Sequence, residues 1–162
     1  MKFKSLLAVM ALTPVCTTFA ATSGTVNITG SVNAPTCTFS TPVTVVLPAL
    51  IGATQSANTP LSQSPFSIAL TGCTGVTTAS FLFSGSAASD GNLTNTGSAT
   101  GVEVELLSSG TKINFSAPTP IDQSVGGASS SSLVLYAAYS SPTGTVTTGS
   151  VAATANFTVT YQ

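Results

Sequence analysis

The chain contains no tryptophan and no histidine, and only seven of its 162 residues carry a formal charge at neutral pH, three lysines and four acidic residues. Without histidine no Ser-His-Asp or Cys-His arrangement can be built. Helix surfaces ordinarily draw on Glu, Lys, Gln and Arg, which are scarce here. Ser, Thr, Ala, Gly and Val dominate instead, a mixture that favours strands and turns. No window has helical period, and no repeat of 20 to 50 residues recurs. Glu103 and Glu105 stand two apart, on one face of an extended chain, as a carboxylate pair would; they read as the solvated face of a strand whose other face is Val102, Val104 and Leu106. Lys112 has serines nearby, but nothing singles out one of them for a Ser-Lys dyad. The chain is therefore expected not to be an enzyme, with no catalytic, cofactor-binding or metal-binding residues assigned.

The first twenty residues have the layout of a secretory signal. Lys2 and Lys4 form a basic start, Leu6 to Val15 an apolar stretch, and Thr18-Phe19-Ala20 a small-x-small cleavage site. The apolar stretch is too short to span a bilayer. Thr13-Pro14-Val15 before Cys16 does not fit a lipoprotein signal, so Cys16 is expected to leave with the rest. What remains carries Lys112 against Asp90, Glu103, Glu105 and Asp122, a net charge of −3. That balance is the wrong sign for nucleic acid. No cluster of His, Cys and carboxylates remains to hold zinc. Two cysteines remain, Cys37 and Cys73. In an exported chain they are expected to pair, the alternative being two buried free thiols. Closing that loop is worth about 4 kcal/mol in the chain-entropy model.

The most regular stretch is the last. Val151, Ala153, Ala155, Phe157, Val159 and Tyr161 alternate with Ala152, Thr154, Asn156, Thr158 and Thr160, the period of a half-buried strand. Only Gln162 comes after it, so this strand is expected to have an edge that another molecule must fill. A second alternating segment opens the processed chain, Gly24 to Val32, with Val26, Ile28 and Val32 on one face and Gly30 among them. On periodicity alone it is equally an ordinary first strand. Asn33-Ala34-Pro35 separates it from the body of the chain, because Pro35 removes a ladder donor.

Between these two ends the spacing predicts short strands with polar turns. They are Thr36 to Leu47 with a kink at Pro42, Phe66 to Cys73, a strand through Phe81 and Phe83, Val102 to Leu106, and Leu133 to Tyr139. A short strand at Lys112 to Phe115 comes after the turn Ser108-Ser109-Gly110. Leu50 to Ser64, Gly85 to Thr100 and Gly126 to Ser132 read as loops. With the final strand there are six long segments after Pro35, one fewer than a complete two-sheet immunoglobulin-like sandwich needs. The fold class is thus all-β, an incomplete six-strand immunoglobulin-like sandwich lacking its last strand.

Three stretches carry a family resemblance: Gly24-Thr25-Val26-Asn27-Ile28-Thr29-Gly30-Ser31-Val32, Phe66-Ser67-Ile68-Ala69-Leu70-Thr71-Gly72-Cys73, and Gly101-Val102-Glu103-Val104-Glu105-Leu106. The ending, Tyr136-Ala137-Ala138-Tyr139 through Phe157-Thr158-Val159-Thr160-Tyr161-Gln162, adds a penultimate Tyr. In this order the sequence resembles the pilins of chaperone-usher fimbriae, closest to the type 1 major fimbrial subunits of Gram-negative bacteria. The resemblance implies three parts: a signal peptide at 1–20, an N-terminal donor-strand extension at 21–32, and a pilin domain at 33–162. It implies that a periplasmic chaperone lends a strand to a groove beside the C-terminal strand. At an outer-membrane usher the extension of a neighbouring subunit then replaces that strand. Val26, Ile28 and Val32 would fill pockets in the groove, and Gly30 would sit where a side chain collides with the floor. Phe157, Val159 and Tyr161 would receive the strand, with the Gln162 carboxylate anchored by basic residues of the chaperone. The implied product is an extracellular fimbrium supporting adhesion, with no nucleic acid and no cofactor. A single-domain adhesive subunit that binds a host glycan or protein through its loops is the alternative, although the three loops contain no aromatic residue and only Asp90 as a charge.

Overall fold

The computed structural model describes residues 25–52 and 54–162. The signal segment 1–20 and the start of the extension, 21–24, lie outside the described residues. Among the described residues the chain forms nine strands and no helix. These are β1 (Thr36–Phe39), β2 (Leu61–Thr74), β3 (Thr78–Gly85), β4 (Leu93–Thr94), β5 (Glu103–Ser108), β6 (Thr111–Lys112), β7 (Ile121–Ser124), β8 (Ser130–Ser140) and β9 (Ala155–Tyr161). They make two antiparallel sheets. One runs β1-β2-β8-β5-β4 with β6 also on β5, and the other runs β7-β3-β9. Contacts within the chain separate Asn33–Gln162 from the residues before it.

The strands arise from alternation read against one core. Ile68 and Leu70 of β2, Phe81 and Phe83 of β3, Val104 and Leu106 of β5, and Leu133 and Leu135 of β8 all point into the space between the sheets and are buried. Cys73 joins them only because β2 carries a bulge. The register against β1 shifts between Thr36 and Thr38, and Gly72 takes a φ of 59°. The extra residue turns Cys73 inward beside Leu70, three positions away, where strict alternation would point it out. There it bonds to Cys37, tying β1 to β2. The β5-β6 connection has Ser109 and Gly110 both at positive φ, and Ser108 pairs with Thr111. That is the two-residue turn whose twist matches the flanking strands.

The six long segments expected from the sequence are found as β1, β2, β3, β5, β8 and β9. Their extents differ in places. The first is a strand only over Thr36–Phe39, and residues 40–47 form none. Pro42 and Pro48 remove ladder donors at either end of that stretch. β8 starts at Ser130, inside the serine run expected to be loop, because Ser130, Ser131 and Ser132 find partners in Thr71, Leu70 and Ala69. β9 is a strand from Ala155; ahead of it, Ser150 and Ala152 accept from Ala99 and Thr96 in the 95–99 turn. β6 spans Thr111–Lys112, not 112–115, and the short strands β4 and β7 are additional. Residues 25–32 form no strand. Glu103 and Glu105 are not a solvated face: Glu105 is buried and Glu103 half-buried. β5 has β8 on one side and β4 and β6 on the other, so little of it meets solvent.

Candidate functional site

The two sheets end side by side where β1, an edge of the first, meets β9, an edge of the second. β9 pairs with β3 through seven residue pairs from Ala79↔Tyr161 to Gly85↔Ala155. Among the described residues its other edge carries no strand. From Val151 to Gln162 the side chains alternate without exception between half-buried and exposed. The inward row is Val151, Ala153, Ala155, Phe157, Val159 and Tyr161, and all six pack on the main core without being fully covered by it. The inward row of the neighbouring strand β3 is complete by contrast, with Ala79, Phe81 and Phe83 no more than 3% exposed. The half-covered row therefore marks where the core lacks one strand.

Aromatic residues set the floor of this cleft. Phe157 lies 5.8 Å from both Phe81 and Phe83 and 5.3 Å from Phe39, with tilted rings throughout. Tilted pairs at these separations are the favoured arrangement of aromatic quadrupoles. Phe39 stands on β1, so Phe157 links the two sheets across the gap. Tyr161 makes the second link, its hydroxyl donating to the carbonyl oxygen of Cys37 at 3.2 Å. Burial holds the Tyr161 hydroxyl above its ordinary pKa, with that bond opposing the shift. The carbonyl oxygen of Gln162 accepts from the backbone nitrogens of Thr77 and Thr78 and from Thr77 Oγ1. These bonds fix the end of β9 to the start of β3.

The structure thus brings Phe157, Val159 and Tyr161 together on one strand face, with Gln162 beyond them, and joins Cys37, whose carbonyl meets Tyr161, to Cys73. Val26, Ile28 and Val32 are 84%, 90% and 102% exposed. A Cβ built on Gly30 would meet nothing within 4 Å. Three further residues are not singled out by the sequence reading: Phe39, which meets Phe157, and Val45 and Leu47, which pack half-buried against the same core. The alternation Val43, Val45, Leu47 is the signal that marks them, and Ser64 Oγ holds the outward carbonyl of Val46 between them.

The fimbrial protein family model matches residues 26–162. In structure the chain is similar to the P pilus rod subunit PapA, with a TM-score of 0.65 and 19% identity over 78% of this chain and 99% of that one. It is also similar to a chaperone-usher pilus subunit solved in connection with rod uncoiling, with a TM-score of 0.67 and 20% identity over 91% of this chain and 100% of that one. A Burkholderia pseudomallei antigen and type I fimbria protein matches with a TM-score of 0.57 and 27% identity over 77% of this chain and 88% of that one. No curated protein matches the sequence. Family and fold are those of structural pilus subunits, not enzymes. The chain belongs to the fimbrial protein family.

Proposed function

We propose that this chain is a shaft subunit that polymerises head to tail by donor-strand exchange. Residues 21–32 of one copy enter the cleft beside β9 of the next. The observation that carries this reading is the half-covered apolar row on β9, an unpaired edge with core side chains beneath it. A strand laid there gains main-chain bonds from β9 and buries alternate side chains in the row. Val26, Ile28 and Val32 are almost wholly exposed and have that alternation. Burying them at roughly 1.5 to 3 kcal/mol each gives on the order of 5 to 9 kcal/mol, an upper bound. That is comparable with the net stability of a whole domain. A donor from one molecule and a receiver on another form a heterologous contact, which propagates into an open filament.

The same edge explains the need for escort. Before assembly the bare β9 is an aggregation hazard, and a periplasmic chaperone that lends a strand covers it until an outer-membrane usher presents the next subunit. The chain then reaches the cell surface as part of a fimbrium that supports adhesion.

The test removes residues 21–32 from the processed chain and expresses it with a chaperone of this class. The expected result is a folded chaperone-bound subunit that never forms fibres. A chain that fails to fold even with the chaperone would identify the segment as the domain's own first strand and overturn the exchange reading.

A further inference from the structure

The few charges of residues 33–162 are not scattered. Asp90, Glu103, Glu105 and Lys112 gather at one end of the first sheet, while Asp122 stands apart on β7, accepting from Ser80 Oγ at 2.5 Å. Asp90 lies in the turn ahead of β4. Its Oδ1 accepts from the Asn92 backbone nitrogen at 3.0 Å, and its Oδ2 from Asn92 Nδ2 at 2.7 Å. The same Nδ2 donates to Glu103 Oε2 at 3.1 Å. One amide nitrogen therefore holds two carboxyl groups side by side. Asn92 is 1% exposed and its Oδ1 has no partner, so its donors to the two carboxyl groups are what hold its side chain. Lys112 Nζ donates to the main-chain oxygen of Asp90 at 2.8 Å and stays 4.0 Å from its Oδ2. One cation thus faces three carboxyl groups.

Two ionised carboxylates on a shared donor repel, whereas one proton between them converts repulsion into a charge-assisted hydrogen bond. We propose that Asp90, Asn92 and Glu103 form a proton-dependent clamp that fastens the 86–92 turn to β5 while one proton is held between the two carboxyl groups and slackens as the pH rises and that proton is lost. The turn matters to the core behind it. Leu93 comes directly after it and is buried against Gly85, the residue that pairs with Ala155 at the start of β9. Phe115, also buried, donates its backbone nitrogen to the Gly91 oxygen.

The direction of the dependence is set by the surroundings of each group. Burial, then the hydrogen bond with Asp90 and its charge, raise Glu103 above its ordinary 4.5, against Asn92 and Lys112. Burial also acts to raise Asp90, but the Asn92 backbone, the Glu103 carboxyl and Lys112 outweigh it and bring Asp90 below its ordinary 3.8. A raised carboxyl contributes stability that is present at low pH and lost as the pH climbs through its folded value; a lowered one contributes stability lost as the pH falls through its own. The clamp is tightest between the two, with Asp90 ionised and Glu103 protonated. Glu105, raised by burial and by Asp90 against Lys112, adds to the loss on the alkaline side and has to be separated from it.

The experiment melts the processed chain, as purified fibres or folded subunit, at about pH 5 and about pH 8. The wild type is expected to melt lower at the higher pH by about 3 °C or more. Glu103→Gln, which keeps the shape and loses the proton exchange, is expected to remove at least half of that difference. Asp90→Asn, which takes away the neighbouring charge, is expected to do the same and decides the matter if the first variant does not fold. A pH difference that survives unchanged in both variants overturns the proposal. So does its disappearance in Glu105→Gln alone.

Discussion

Breaking the Cys37–Cys73 bond tests how far the cleft depends on a covalent brace. The two residues are 36 positions apart. Cross-linking a loop of that length lowers the entropy of the unfolded chain by about 4 kcal/mol in the chain-entropy model. Against a domain stability of roughly 5 to 15 kcal/mol, reduction should consume a large share of what holds the subunit together. With a urea slope of about 2 kcal/mol per molar, the unfolding midpoint should fall by about 2 M. The assay is urea unfolding of the processed chain monitored by circular dichroism, with and without reductant, and of the double variant Cys37→Ser, Cys73→Ser without it. Structure adds a second expectation. β1 has only four residues, yet it supplies Phe39 to the Phe157 rings and the Cys37 carbonyl to the Tyr161 hydroxyl. Once the brace is gone, β1 holds these positions less firmly. Tyr161→Phe, worth about 1 kcal/mol in the oxidised chain, should therefore cost measurably less in the reduced one, a coupling readable from a double-mutant cycle. A midpoint that moves by less than about 0.5 M together with additive effects of the two changes would refute the reasoning.

Two further outcomes can be checked in the same preparations. Gly30→Leu should leave the yield of chaperone-bound subunit unchanged while shortening or abolishing fibres seen by electron microscopy; fibres of wild-type length would remove Gly30 from the exchange. Gly101→Ala should destabilise the domain by on the order of 1 to 3 kcal/mol, because its φ is +72° and the Thr145 carbonyl oxygen already occupies the place of a Cβ. An unfolding midpoint equal to wild type would show that the 141–146 turn yields without cost.

How much of the fold is legible in the sequence depends on what each segment packs against. β9 is legible because one of its faces lies along the core and the other meets water, so its residues repeat with period two from Val151 to Tyr161. The same rule misplaces Cys73, since nothing local announces the bulge at Gly72 that turns it inward. β7 is not legible: Ile121 is the only apolar residue of its four, and it is a strand because Ala79, Ser80 and Phe81 of β3 offer it partners. The two residues of β4 owe their conformation in the same way to Glu103 and Val104. Alternation misleads at Glu103 and Glu105 because it reports two faces without saying how many neighbours cover each. The cleft is half legible. Its β9 wall comes from the pattern, whereas Val45 and Leu47 reach the same core from a stretch that two prolines keep out of any sheet.

The scarcity of charge also decides which chemistry can reach the surface of an exposed fibre. Residues 21–162 offer trypsin-like proteases a single bond, on the C-terminal side of Lys112, since no arginine occurs anywhere. That lysine lies in β6, paired to β5 through Leu107, with its amine held by the Asp90 carbonyl. Cleavage there would require a protease to draw out a paired strand and detach the one side chain it recognises. The folded subunit thus presents basic-specific proteases with a nearly blank face, and Lys112 carries the one side-chain amine of residues 21–162 that amine-directed reagents can mark.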